Sequence, residues 1–395
     1  MNSTTSGCPF FVEGGDSKTA AMAAKQAKAY DGATVVRDFG MARDVLRGPA
    51  VFQAGRGAEK MKDLNPEHLS VFFLDGDIHK KRRGQIARYF TPKAMNTKYR
   101  PTMESSTKKL IDQLRRSGRE QLDLLSFELA CDVASEIIGL TNSDSHAMMQ
   151  RIRKSFLQMG VSAANPKNSF LSNMKKLYRI GMFYFKDVVP AIKARQKERQ
   201  DDVMSLLIDE GYTNKSILIE CQTYGSAGML TTREFIVVAA WHMFERDDLR
   251  QTFLDGDESV QFGILEEILR VDPVVTHIHR RAKQDFTGAN GEQVKAGELY
   301  ALELRSANLD EAVVGECPHK IDPERSKKQR MTSAWMSFGD GPHRCPGAQV
   351  ALHETRVFLD ALLRVPGIRL ANPPTVEWTG STYELHGAYV ECDKA

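Results

Sequence analysis

Apolar positions recur with helical spacing over most of the chain. Between Tyr99 and Gln200 the pattern is helical almost throughout, with stripes at Leu110 and Leu114 and at Leu122, Leu125, Leu129, Val133 and Ile137 that mark core faces. Before it, the Ala/Lys/Gln run from Ser17 to Tyr30 favours a helix, Ala33 to Val36 a short extended stretch, and Met41 to Leu46 another short helix. Gly48-Pro49 and a loop containing Gly55 and Gly57 follow. Asn165-Pro166 breaks the long helical series. Lys215 to Phe244 is again helical, interrupted by Gly225-Ser226-Ala227-Gly228, and Gly263 to Arg270 is amphipathic. Pro273 to Arg280 alternates as a strand does, and a last apolar-periodic run passes through Ala348, Ala351, Leu352, Val357, Phe358 and Leu359. The pattern predicts a mainly α, multihelical fold with small accessory β-sheets. Length alone suggests two or three domains and a single large core is equally admissible; no internal repeat or low-complexity linker divides residues 1–395, as a single domain requires.

Composition narrows the class without naming a chemistry. An apolar share of 42%, a charged share of 27% and a net charge of +3 describe an ordinary soluble globule, and nothing demands nucleic acid. The six cysteines, at 8, 131, 221, 317, 345 and 392, lack framework spacing, which predicts reduced thiols in a cytoplasm. The first thirty residues hold no long apolar run, so neither a signal peptide nor a membrane anchor is expected.

Candidate chemistry concentrates in Phe338 to Gly347, which reads Phe-Gly-Asp-Gly-Pro-His-Arg-Cys-Pro-Gly. Gly339 and Gly341 suit a tight loop with positive φ, and Pro346 suits a first helical position. Cys345 then sits at a helix N-terminus, where backbone N–H groups favour a thiolate, with His343 and Arg344 as nearby cations and Phe338 as an apolar wall. The alternatives are a small buried hydrophobe or a zinc ligand, although no Cys-x-x-Cys occurs in the chain. Upstream, Asp77 can cap a helix on which His79 and Arg83 share one face, forming either a carboxylate clamp or a solvated basic face. The small residues at 225–228 either admit a flat ring or thin the helix for close packing, and a following threonine hydroxyl can turn to the i−4 carbonyl. Glu267 and Arg270 form an i,i+3 pair.

The cysteine stretch resembles the heme-binding signature of the cytochrome P-450 family, Phe-x-x-Gly-x-x-x-Cys-x-Gly, with Phe338, Gly341, Cys345 and Gly347 matching. The resemblance runs from about Asp31 to the C-terminus with motifs in the family's order. It implies a cytochrome P-450 fold enclosing heme b, ligated by Cys345 and contacted by Phe338, His343 and Gly347. It implies propionate contacts from His79, Arg83 and Arg280, with Lys80, Arg82 and Arg88 left for a proximal surface. The family's Ala/Gly-Gly-x-Asp/Glu-Thr appears as Ala227-Gly228-Met229-Leu230-Thr231, so Ala227 and Gly228 would face the heme while the acid is replaced by Leu230. Thr231 and Thr232 are then the catalytic candidates, with Glu234 a partial substitute for the lost carboxylate. Glu267, Arg270 and Arg325 match a structural triad, and Ser306-Ala-Asn-Leu-Asp310 is similar to the family's Ala-Asn-Arg-Asp. Gln222, Tyr224, Met229, Val274, Val275, Thr276 and His277 are the pocket candidates, His277 being either a substrate contact or a strand-surface histidine. Thr379 to Tyr389 would add another pocket turn, and the helices flanking Asn165-Pro166 a mobile lid.

The function so implied is a monooxygenase acting on a small or medium-sized, largely apolar substrate, with electrons from ferredoxin and ferredoxin reductase. Neither nucleic acid nor membrane is an expected partner. Leu230 keeps open a heme-thiolate enzyme of atypical chemistry: oxidative coupling, reduction, isomerisation or peroxide-driven oxidation. A non-enzymatic heme sensor or electron carrier is the alternative from another class.

Overall fold

The computed structural model describes residues 32–55, 58, 65, 69–163, 170–289, 291–331, 334–379 and 381–394. The helix expected over Ser17 to Tyr30, Gly57 and the Asn165-Pro166 break lie outside these residues. In chain order the elements used below are β1 (Thr34–Val36), α1 (Phe39–Arg47), β2 (Val51–Ala54), α2 (Gly76–Ile86), α3 (Arg100–Ser117), β3 (Arg119–Gln121), α4 (Leu122–Ile138), α5 (Ser145–Ala163), α6 (Phe170–Phe183) and α7 (Val189–Lys197). They continue with α8 (Asn214–Tyr224), a π-helical segment (Gly225–Leu230), α9 (Thr231–Glu245), α10 (Glu258–Val271), β4 (His277–Ala282), β5 (Leu299–Glu303), α11 (Ala348–Leu363), β6 (Arg369–Asn372), β7 (Thr375–Thr379), β8 (Thr382–His386) and β9 (Tyr389–Glu391). The architecture is the multihelical one with small sheets that the apolar periodicity predicts. Among the described residues no helix is long and apolar enough to cross a membrane.

The chain forms two compact units, each discontinuous in sequence: 1–59, 238–348 and 374–386 in the first, 60–237, 349–373 and 387–395 in the second. In the first unit a four-stranded sheet runs β1-β5-β4-β2, with β1 parallel to β5 and the other pairs antiparallel. The register sets Gln53 opposite Arg280, so a cross-strand hydrogen bond joins them at 2.6 Å from Nη1 to Oε1. Strand β4 begins later than the alternation suggested: Pro273 to Thr276 precede it and pair only through a bridge from Val275 to Thr382. Helix α1 packs on this sheet, Phe39 meeting Trp335 edge to face at 6.3 Å within a cluster that includes Val36, Val45, Tyr300 and Leu302.

In the second unit α3 and α4 bury their predicted stripes. Leu110, Leu114, Leu122, Leu125, Leu129, Val133 and Ile137 are all core. Gly118 and Gly139 end these helices in the left-handed region, each donating its N–H four residues back. A three-stranded antiparallel sheet ordered β3-β9-β6 closes the chain's C-terminal segment onto α3 and α4. Helix α2 starts at Gly76 with Asp77 inside its first turn and no side-chain cap from Asp75, so the capping role expected of Asp77 is not realised.

Candidate functional site

The cysteine loop is built from the first unit. Gly339 and Gly341 adopt φ of +70° and +67°, which brings the chain back on itself so that the Cys345 N–H donates to the Phe338 carbonyl at 2.8 Å. At Gly341 a Cβ would stand 2.3 Å from the Leu46 carbonyl oxygen, so here the bare glycine lets the loop abut the C-terminal end of α1. Asp340 reinforces that seat: it accepts from Arg47 at 2.9 and 3.1 Å and faces Arg43 at 3.5 Å. Neither contact was visible in the sequence, because both join positions almost 300 residues apart. Helix α11 begins at Ala348, so Pro346 lies in the preceding turn rather than at a first helical position, and Cys345 stands ahead of the helix. The Cys345 thiol is exposed, which sets aside its reading as a buried hydrophobe. Phe338, His343 and Gly347 are each partly buried around it.

Behind the loop lies a buried ion cluster. Arg270 grips Glu267 with two bonds of 2.6 and 2.9 Å, and Arg325 Nε reaches the same carboxylate at 3.0 Å. Each guanidinium also donates to backbone carbonyls, Arg270 to Pro318 and Lys320, Arg325 to Val314, Cys317 and Lys320. A charge cluster this deep is tolerable because nearly every donor finds an acceptor. Burial pulls the Arg270 guanidinium down, against the opposing pull of Glu267. Asn308, within the Ser306–Asp310 motif, extends the cluster: its side chain accepts from Met336 N–H and donates to Ser337 Oγ, each at 2.9 Å. Ala334 and Trp335 occupy φ of +58° and +53°, unusual for residues with side chains, immediately before the loop. Sequence reading marked the Ser306–Asp310 motif but not this role.

The sheet side of the same unit carries Arg280, Thr276 and His277, all buried. Thr276 donates both its N–H and its hydroxyl to the Ser381 carbonyl, at 2.9 and 3.2 Å, which fixes the β7–β8 turn beside Val274 to His277. His277 is buried, with Nδ1 3.1 Å from Thr276 Oγ1 and its ring edge-on to His279, so it is not a strand-surface histidine. Val274 is buried and Val275 partly so.

In the second unit α8 passes into the π-helical segment at Gly225 and returns to α-helix at Thr231. At the return to α-helix the Thr231 N–H bonds the Gly228 carbonyl. The Thr231 hydroxyl turns back along the helix, donating to Ala227 O at 2.6 Å. Ser226, Ala227 and Gly228 are exposed, and a Cβ on Gly228 would meet nothing within 4 Å. This opposes the packing explanation for the small residues: they leave an open face.

Met229 points the other way. It is fully buried with its sulfur 3.7 Å from Cys131 Sγ of α4, so it is core rather than pocket wall, as one step of helix from an exposed Gly228 requires. Thr232 is buried as well, and Glu234 is buried in an ion pair with its neighbour Arg233. Gln222 and Tyr224 are partly buried, and burial pushes the Tyr224 hydroxyl well up. On α2, His79 is buried and Arg83 half-buried one turn later on the same side. Arg82 is committed within the unit, donating to the Leu69 carbonyl at 2.6 Å and stacking over Tyr212, which removes it from the basic surface; Lys80 and Arg88 are exposed, Arg88 donating to Tyr89.

Residues 263–365, from α10 through the cysteine loop into α11, match the family model described as Cytochrome P450. Mycinamicin IV hydroxylase/epoxidase of Micromonospora griseorubida is 27% identical over 340 residues, covering 82% of this chain and 81% of that protein. Nocardicin C N-oxygenase of Nocardia uniformis subsp. tsuyamanensis is 28% identical over 336 residues, covering 82% and 79%. The fold of CalO2 superposes with a TM-score of 0.76 at 20% identity, over 96% of this chain and 98% of that one. The chain belongs to the cytochrome P450 family. It is a P450 monooxygenase by class, and its cofactor is heme b.

The side chains of this P450 fit that cofactor. In the first unit an exposed thiol ends a loop braced by positive-φ glycines, and Arg280 offers a buried cation on β4. In the second, Ala227 and Gly228 leave an uncovered backbone face, and His79 and Arg83 supply two further donors on one side of α2.

Proposed function

We propose that this P450 inserts one oxygen atom from O2 into a small or medium-sized, largely apolar organic substrate. Ferredoxin and its reductase supply the electrons. The observation that carries the reading is Cys345, an exposed thiol at the end of a two-glycine loop inside the segment that matches the family. When bound, heme would supply the redox and oxygen chemistry, tuned by a protein thiolate. Cys345 provides that thiolate, while Phe338 shields it and the Phe338 carbonyl fixes its backbone. His79 and Arg83 on α2, and Arg280 on β4, are the cationic groups that would hold propionates. Thr231 positions a hydroxyl proton at the break in the helix, where it meets the Ala227 carbonyl and can be redirected by rotation about the Cβ–Oγ bond. In the first unit Val274 and Val275 offer apolar walls for a substrate and Thr276 and His277 polar groups to orient it; in the second, Gln222 and Tyr224 are the candidate substrate contacts. Lys80 and Arg88 contribute positive charge to the surface that receives an acidic electron donor.

Two measurements test this. The reduced protein with carbon monoxide should give the absorption band of a thiolate-ligated heme, and Cys345→Ser should abolish it. Product formed under labelled O2 should carry one labelled oxygen; product without label refutes insertion.

A second reading is favoured by Leu230. A leucine cannot pass a proton, and the nearest carboxylate on that helix, Glu234, is engaged by Arg233. A reaction that needs no carboxylate relay, such as oxidative coupling, reduction, isomerisation or peroxide-driven oxidation, suits this arrangement. Unlabelled product, or turnover with peroxide and no reductant, supports that reading.

A further inference from the structure

Seven large apolar side chains are exposed among the described residues, and five of them, Leu171, Met174, Leu177, Tyr178 and Phe185, lie on α6 and the π-helical segment that follows it, Tyr184–Val188. Leu171, Met174 and Tyr178 are spaced i, i+3, i+7 and share one side of the helix. The stretch from Leu171 to Phe185 spans about 21 Å at helical rise.

Charge is segregated over the same region. Residues 145–186 contain no Asp or Glu although the chain holds 51 acids in 395 residues, and they contain eight Lys or Arg. Four of these, Lys175, Lys176, Arg179 and Lys186, lie between or beside the exposed apolar side chains. Asp187, which ends the run, is buried and held by Arg151 at 2.6 Å, so it does not offset them at the surface. Every residue from Asn173 to Tyr178 is exposed, right round the helix. An apolar row flanked by cations with no acid to offset them suits an anionic bilayer surface, where apolar side chains reach inward and cations meet phosphates.

We propose that α6 lies in the headgroup layer of an anionic lipid bilayer, Leu171, Met174, Tyr178 and Phe185 reaching the acyl boundary and the four cations meeting lipid phosphates. Such a helix lies on the membrane without crossing it. The cations extend their charged ends outward along apolar stems.

The test uses the heme-loaded full chain and sedimentation with vesicles of phosphatidylcholine alone or with phosphatidylglycerol. Binding is expected to the anionic vesicles only and to weaken with salt. At about fivefold per cation near an anionic surface, Lys175→Gln/Lys176→Gln should lower the partition coefficient about 25-fold. Met174→Ser/Tyr178→Ser should weaken binding at unchanged charge. All four substitutions are at exposed positions, and far-UV circular dichroism with the carbon monoxide band verifies that each variant is folded. No binding, equal binding to neutral vesicles, or unaltered binding by the folded variants overturns the proposal. So does a finding that α6 instead serves self-association or an acidic carrier protein, seen as complex formation lost in Lys175→Gln/Lys176→Gln without any vesicle binding.

Discussion

Replacing Glu220 with glutamine should stabilise this P450 in alkaline solution, although it removes a charged acceptor from two hydrogen bonds. Glu220 on α8 accepts from Ser70 Oγ and from the Val71 N–H, each at 3.0 Å, beside a small cavity lined by Arg82, Gln85, Ile86, Tyr212 and Tyr224. Burial pushes its carboxyl from 4.5 up to about 7, against the two hydrogen bonds and Arg82, which pull it down. The folded state therefore holds this proton more tightly than the unfolded chain. Glu220 is least costly below the unfolded value, and stability is lost as pH rises from about 4.5 through about 7. The penalty works out at about 1 kcal/mol at pH 5 and about 3 kcal/mol above pH 8, taking about 1.4 kcal/mol per unit of pKa. Glutamine cannot ionise, yet its oxygen still accepts from Val71 and its amide can donate to Ser70. Urea unfolding followed by far-UV circular dichroism, run on both proteins at pH 5 and pH 8, reads the difference directly. The variant should gain about 2 kcal/mol on wild type between the two pH values. A difference that does not change with pH, or a variant less stable at pH 8, would refute the claim that burial governs this carboxyl.

Three other outcomes follow from the geometry. Arg325→Leu takes one of two guanidinium partners from Glu267 and removes the side-chain donor to the carbonyls of Val314 and Cys317, so the urea midpoint should fall by the equivalent of about 3 kcal/mol and heme should be lost more readily. Gly341→Ala puts a Cβ into the Leu46 carbonyl at a positive φ, which should cost about 2 kcal/mol or more and shift or abolish the carbon monoxide band, whereas Gly228→Ala, facing open space, should fold normally. Thr231→Val removes the hydroxyl that donates to the Ala227 carbonyl; stability should drop by about 1 kcal/mol and product formed per electron consumed should fall, with Thr231→Ser restoring both.

The sequence was most legible where physics is local. The stripe from Leu122 to Ile137 is buried because a 3.6-residue period fixes one face whatever packs against it, and the Gly225–Gly228 break announced an irregular helix because glycine is costly in a regular one. Phe338 to Gly347 was legible as a loop for the same reason. What could not be read was the outcome of tertiary contact. Arg82 resembles the cations around it in sequence but is taken up by the Leu69 carbonyl and Tyr212, while Lys80 stays in solvent. Asp340 and Gly341 look like ordinary turn residues until α1 is brought against them.

The same limit explains the divided fate of the helix around Leu230. Sequence spacing placed Glu234 one turn beyond the missing acid and on its side, which suggested a substitute carboxylate. Spacing says nothing of neighbours, and the neighbour is Arg233, buried with it. The buried guanidinium engages the carboxylate within the core, so Glu234 does not present it to the exposed turn. The hydroxyl of Thr231 stands at the open turn, whereas the charge of Glu234 is withdrawn into the core. Any proton that reaches the exposed face of Ala227 and Gly228 must therefore come by way of hydroxyl groups or water, and the rate of a reaction there should depend on Thr231 far more than on Glu234.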